Sequence, residues 1–125
     1  MKAIVIREYG GPEVLKYEDA PDPMPGAGEI LVDQTTMGVN FADVMMRQGK
    51  YFIKPELPAV PGFEGAGTVT AVGEGVEGIS VGRRVAYVMS LGAYAEKNVI
   101  PAANAVPLPE AISDEVAGSS LLRGM

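Results

Sequence analysis

Five side chains between residues 40 and 64 carry most of the chemistry this chain has to offer: Asn40, Asp43, Tyr51, Phe63 and Glu64. Asn40 brings a carboxamide that can donate to a carbonyl oxygen, although an amide is no strong Lewis acid. The same residue type suits the N-cap of a helix beginning at residue 41. Asp43 is placed to orient a water or a hydroxyl group. Alternatively it occupies the first turn of that helix, where the dipole favours it, and pairs with Arg47 at i,i+4. Tyr51 offers either an aromatic wall for a flat ring or a surface tyrosine. Glu64 stands in the glycine-rich run Pro61-Gly62-Phe63-Glu64-Gly65-Ala66-Gly67, and braces that turn. The chain has no histidine and no cysteine. Thiolate chemistry and disulfides are therefore excluded, as is a catalytic zinc held by the usual nitrogen and sulfur ligands.

The elements that must position these groups follow from composition and period. At 125 residues with 47% hydrophobic and 21% charged content, the chain reads as one globular domain with a real core. Sixteen glycines and ten prolines point to short strands joined by tight turns. A formal net charge of −6 lacks the basic stripe that a nucleic-acid binder needs. Lys2 precedes only four apolar residues before Arg7 and Glu8, so no signal peptide is read, and no membrane span is predicted. The expectation is a soluble cytoplasmic protein.

Strands are predicted over 1–7, 14–18, 29–39, 65–72, 84–89 and 92–100, with a short one near Ala105-Val106. The period changes at Phe41, Val44 and Met45, which predicts a helix over 41–48 stopped by Gly49. Segments 20–28 and 51–61 are proline-marked loops. Ser113-Asp114-Glu115-Val116 reads as an N-cap followed by acidic residues, so a second helix is expected from about 113. Met37, Met45, Met46 and Met89 read mostly as core, with an adaptable apolar pocket as the alternative.

Gly73-Glu74-Gly75-Val76-Glu77-Gly78 is a literal GxGxxG. A dinucleotide fingerprint needs those glycines to turn directly into a helix. Here Ile79-Ser80-Val81-Gly82 follows instead, and Glu74 and Glu77 would stand beside a diphosphate. The motif reads as a hairpin or loop between strands.

Several segments, in order, resemble the medium-chain dehydrogenases/reductases, specifically the zinc-free, zeta-crystallin-like quinone oxidoreductases. They are MKAIVIREYGGPEVLKYED at the start, PGAGEILVDQTTMGVNFADVMMRQGKY, PGFEGAGTVTAVGEGV, VGRRVAYV and LGAYAEKNVIPA. The resemblance implies a mainly β, GroES-like, partly open barrel over 1–112. It also implies that 113–125 begins the helix leading to a Rossmann cofactor domain, so that the chain is expected to be the N-terminal part of a longer enzyme.

The function so implied is metal-free hydride transfer from NADPH to a quinone or activated alkene, with the cofactor held mainly by the other domain and a homodimer possible. Zinc relatives place a cysteine at the position of Asn40 and a histidine at that of Phe63. Asn40, Asp43 and Tyr51 are the catalytic candidates; Asn40, Arg123 and Gly124 are the cofactor contacts. Phe41, Tyr51, Phe63 and Glu64 line the substrate pocket, with Phe63 filling the former metal position. In similar 2-enoyl thioester reductases a tyrosine in a Gly-x-Tyr context donates a proton, which adds a third reading for Tyr51. Arg83 and Met45 depart from the pattern, standing where it has an acidic residue and, in some bacterial members, a tyrosine. The competing functions are a non-enzymatic GroES-like structural or assembly module and a 2-enoyl thioester reductase domain.

Overall fold

Alternating branched residues build the main sheet, because successive side chains on a strand point to opposite faces. The computed structural model describes residues 1–51, 56–109 and 111–113. Five strands form one antiparallel sheet: β3 (Glu29–Met37), β4 (Glu64–Val72), β5 (Arg84–Val88), β6 (Lys97–Pro101) and β7 (Ala105–Pro107), in the spatial order β6-β3-β4-β5-β7. The register sets Ile30 opposite Ile100 and Val32 opposite Val69. One face thus gathers Ile30, Val32, Val69, Val85, Tyr87 and Ile100 with Ala93 into a single buried cluster. Burying each large apolar side chain there contributes roughly 1.5–3 kcal/mol.

A second, two-stranded sheet pairs β1 (Lys2–Val5) with β2 (Lys16–Asp19). Between its strands a 3-10 turn spans Pro12–Val14, its first position taken by a proline that has no N–H to satisfy. Isolated bridges Ala3↔Ala95 and Ile6↔Ala59 fasten this hairpin to the rest. The result is two open sheets, in agreement with the mainly β, partly open barrel that was expected. Helix α1 (Phe41–Arg47) follows β3 and packs Met46 onto Ile6, Val14 and Phe63, a second small core. No helix among the described residues is long and apolar enough to cross a membrane.

The segment expected as a strand over 92–100 becomes one only at Lys97. Its first half divides its main-chain bonds among separate partners. Ala93 and Tyr94 donate to Gly62 and Pro61, while Tyr94 accepts from Ile4. Gly92, at φ 109°, turns the chain out of strand geometry at the start of that half. The GxGxxG run joins β4 to antiparallel β5 with Gly75 and Gly78 at φ 82°, and no helix follows it. The turn at Arg83 is held by main-chain bonds: its N–H donates to Ser80 and its carbonyl accepts from Val69. The helix expected from about 113, together with Arg123 and Gly124, lies outside the described residues beyond Ser113.

The β3–β4 pair leaves no room at Gly67. A Cβ there would lie 2.1 Å from the main-chain oxygen of Asp33, whereas one at Gly28 (φ 75°) would meet nothing within 4 Å. Gly67→Ala is therefore expected to cost about 3 kcal/mol through overpacking against backbone. Gly28→Ala should cost only the left-handed strain of about 1–2 kcal/mol. Paired thermal unfolding curves check this ranking, and equal midpoints for the two variants would contradict it.

Candidate functional site

A seven-residue helix is too short to be stable alone, so α1 is held by its packing and its first turn. Asn40 is its N-cap, with extended backbone. The Asn40 N–H donates to Oδ2 of Asp43 at 3.0 Å, and the Asp43 N–H donates to the Asn40 carbonyl at 3.0 Å. The carboxylate satisfies a donor at the helix N-terminus, where negative charge is also favoured. A second donor reaches the same oxygen: the Tyr94 hydroxyl bonds Oδ2 at 2.7 Å, from 51 positions further along the chain. Asp43 is only 4% exposed. Its Oδ1 and the Nδ2 of Asn40 are both buried and have no hydrogen-bond partner among the described residues.

This burial sets the electrostatics. Desolvation pushes the Asp43 carboxyl above the usual carboxylate range, opposed by the Asn40 N–H and the Tyr94 hydroxyl. Burial likewise pushes the Tyr94 hydroxyl upward, reinforced by its bond to Asp43 and by that residue's charge, with Arg47 pulling the other way. The i,i+4 pair expected between Asp43 and Arg47 is not what the side chains make. Arg47 donates from Nε to the Gly10 carbonyl at 3.2 Å, while Oδ2 of Asp43 is taken by Asn40 and Tyr94.

Tyr94 and Val39 each line two recesses. One of about 260 Å³ is lined by Leu15, Val39, Asp43, Val44, Arg47 and Pro61 together with Tyr94. The other, about 380 Å³ and chiefly apolar, lies between the β1–β2 hairpin and β3, with Ile4, Tyr17, Met37, Val39 and Tyr94 on its walls. Val39 and Phe41 stand out from the surface at 67% and 75% exposure, flanking Asn40.

The remaining candidates fall into two groups. Phe63 is buried in the second core, and the half-buried Tyr51 leans on it with ring centroids 5.7 Å apart. Glu64 opens β4 and is also buried. Its side chain lies over Gly38, where a Cβ would come within 1.9 Å of Oε1, so it packs against the chain leading to Asn40. Asn40 and Asp43 thus form one unit, Tyr51 and Phe63 another, while Phe41 points away from both cores. Of the four methionines, Met46 is core, Met45 is half-buried, and Met37 and Met89 are exposed. Sequence reasoning missed Tyr94 and Val39. Tyr94 lies within the strand expected over 92–100, and nothing local ties it to a carboxylate 51 positions away.

Residues 26–110 match the alcohol dehydrogenase GroES-like domain. The chain belongs to that family. The GroES-like domain is 45% identical over 123 residues to a quinone oxidoreductase of Salmonella typhimurium, covering 98% of this chain and 37% of that protein. It is 39% identical over 124 residues to the rat synaptic vesicle membrane protein VAT-1 homolog, covering 98% and 31% respectively. It superposes on Escherichia coli quinone oxidoreductase complexed with NADPH at a TM-score of 0.94 and 41% identity, covering 99% of this chain and 38% of that one. The domain therefore spans well under half the length of these relatives. The resemblance to quinone oxidoreductases of the medium-chain superfamily holds along nearly the whole chain.

The position of Asp43 makes a pH prediction. Its pKa is raised in the folded state, so the folded chain holds the proton more tightly than the unfolded one. That contribution to stability is complete below the unfolded value near 3.8 and is lost as pH rises through the folded value. Wild type should therefore lose stability relative to Asp43→Asn as pH climbs upward from about 3.8. Urea unfolding of both proteins across that range tests it; a constant difference would show that Asp43 titrates alike in both states.

Proposed function

We propose that this domain is the substrate side of an NADPH-dependent quinone oxidoreductase that transfers hydride to a quinone or activated alkene without a metal. The observation that carries the reading is the pair of positions where zinc relatives hold ligands. Phe63 is 2% exposed inside an apolar cluster, and Asn40 presents an amide with a buried, unpartnered Nδ2. These side chains do not fit a catalytic zinc. Among the described residues no group of three or more His, Cys, Asp or Glu is placed to hold a metal ion. The similarity to quinone oxidoreductases, one of them complexed with NADPH, supports the choice of reaction class.

Asn40 fits NADPH by its chemistry. Its orphaned N–H donor suits the carboxamide oxygen of a nicotinamide or the carbonyl of the substrate. When bound, NADPH supplies the hydride. This chain's residues bind, orient and exclude water. The Asn40 amide donates to the oxygen on which charge accumulates, and Asp43 fixes the main chain from which that amide projects. The exposed Val39 and Phe41 offer an apolar surface to planar rings and to the cofactor half. Most of the cofactor contacts, including those at Arg123 and Gly124, are assigned to a domain continuing from residues 113–125 in a longer protein.

In that longer protein, NADPH-dependent reduction of 1,4-benzoquinone should proceed unchanged in the presence of a zinc chelator. Asn40→Ala should lower kcat/KM about 100-fold. The isolated 125-residue chain should show no turnover. Chelator-sensitive activity, or turnover by this chain alone, would overturn the proposal.

A further inference from the structure

A helix cap alone does not explain why a carboxylate is buried at Asp43. As the N3 partner of the Asn40 N-cap, Asp43 needs only the one bond from the Asn40 N–H to close its side of the capping box. As it stands, both observed side-chain bonds fall on Oδ2, and Oδ1 is buried with no partner among the described residues. Leaving such an atom unsatisfied is unfavourable. Beyond the capping bond, the carboxylate makes a second connection, to Tyr94.

That connection is rigid at its far end. The Tyr94 N–H donates to Pro61 at 3.0 Å and its carbonyl accepts from Ile4 at 2.8 Å. On either side, Nε2 of Gln34 donates to the carbonyls of Ala93 and Ala95 at 3.0 and 2.8 Å. The ring rests directly on Gly62, where a Cβ would come within 2.6 Å of the Tyr94 Cδ1. Main chain and ring are thus both held by neighbours on β1, β3 and the 61–62 turn, and the hydroxyl projects to Asp43. The other end is delicate: α1 has seven residues, and the Asn40 N–H is aimed at the same oxygen.

We propose that Tyr94 is a positioning residue: through Oδ2 of Asp43 its hydroxyl sets the main chain at Asn40 and hence the direction of the Asn40 carboxamide. The consequence for catalysis rests on the oxidoreductase reading above, whereas the positioning itself does not. Tyr94 lines both recesses, together with Val39.

Tyr94→Phe keeps the ring and its packing and removes only the hydroxyl. In isotope-labelled 125-residue chain, NMR should show the Asn40 side-chain amide pair collapsing toward averaged shifts, with the Ile30 and Val69 amides unmoved. The Asp43 carboxyl carbon should titrate at higher pH, since a bond favouring its charged form is gone. In the longer protein, Tyr94→Phe should lower kcat for quinone reduction about tenfold, a larger change than in KM for NADPH, most of whose contacts are assigned elsewhere. The double variant with Asn40→Ala should lose no more than Asn40→Ala alone, because one residue acts through the other. Additive losses, or a variant that is merely less heat-stable with the Asn40 resonances in place, would overturn the proposal. If the wild-type protein reduces no quinone, the functional reading fails, and the NMR comparison alone decides the positioning.

Discussion

The side chain of Gln34 ties β3 to residues 92–96, which lie outside the named strands and meet β1 only through the isolated Ala3↔Ala95 bridge, and the segment that carries Tyr94 toward Asp43 is held by that tie. Residues 92–96 leave the ladder, so their carbonyls need other donors. Gln34 supplies two of them, at Ala93 and Ala95, while its Oε1 accepts from the buried Tyr87 hydroxyl. Asn98 completes the set, donating to that hydroxyl at 3.0 Å and to the Leu91 carbonyl at 3.2 Å. Burial pushes the Tyr87 hydroxyl well above its ordinary range, so it remains a neutral donor. A polar network inside a core is tolerated only when its members are satisfied. Here that requirement fixes one geometry for the whole segment.

From this bridge the order passes outward in steps. Gln34 and Gly62 hold Tyr94; Tyr94 holds Asp43; Asp43 holds the N–H of Asn40. The apolar clusters set which elements meet, and the hydrogen bonds set how they are turned. The division reflects the two forces. Burial of area is non-directional, whereas a donor and acceptor fix an angle as well as a distance. The seven-residue α1 needs the directional kind, because area alone would let so short an element rotate.

Glycine has a related part where chain must pass close to chain. At Gly38 the buried Glu64 side chain occupies the volume a Cβ would need, and at Gly62 the Tyr94 ring does. The glycine-rich run 61–67 is thus less a flexible turn than a closely packed one. Phe63 and Glu64 within it point into different surroundings, one apolar and one against the approach to α1.

Much of the fold was legible in the residues. Alternation marked β3, β4 and β5; the change of period at Phe41 marked α1; the residues after Gly78 marked the GxGxxG run as a connection between strands. Asn40 as a cap and Phe63 as packing were also readable, because capping and apolar burial are properties of a residue and its near neighbours. The failures have a common cause. The strand expected over 92–100 is shortened, and the Asp43–Arg47 pair gives way to Tyr94, because in each case a group distant in sequence competes for the same hydrogen bond. By itself, then, the sequence determined the sheet, the short helix and the lack of histidine and cysteine ligands. Only the tertiary structure decided that Tyr94 would meet Asp43, since a contact spanning 51 residues depends on how α1 packs against the segment before β6 and leaves no local pattern.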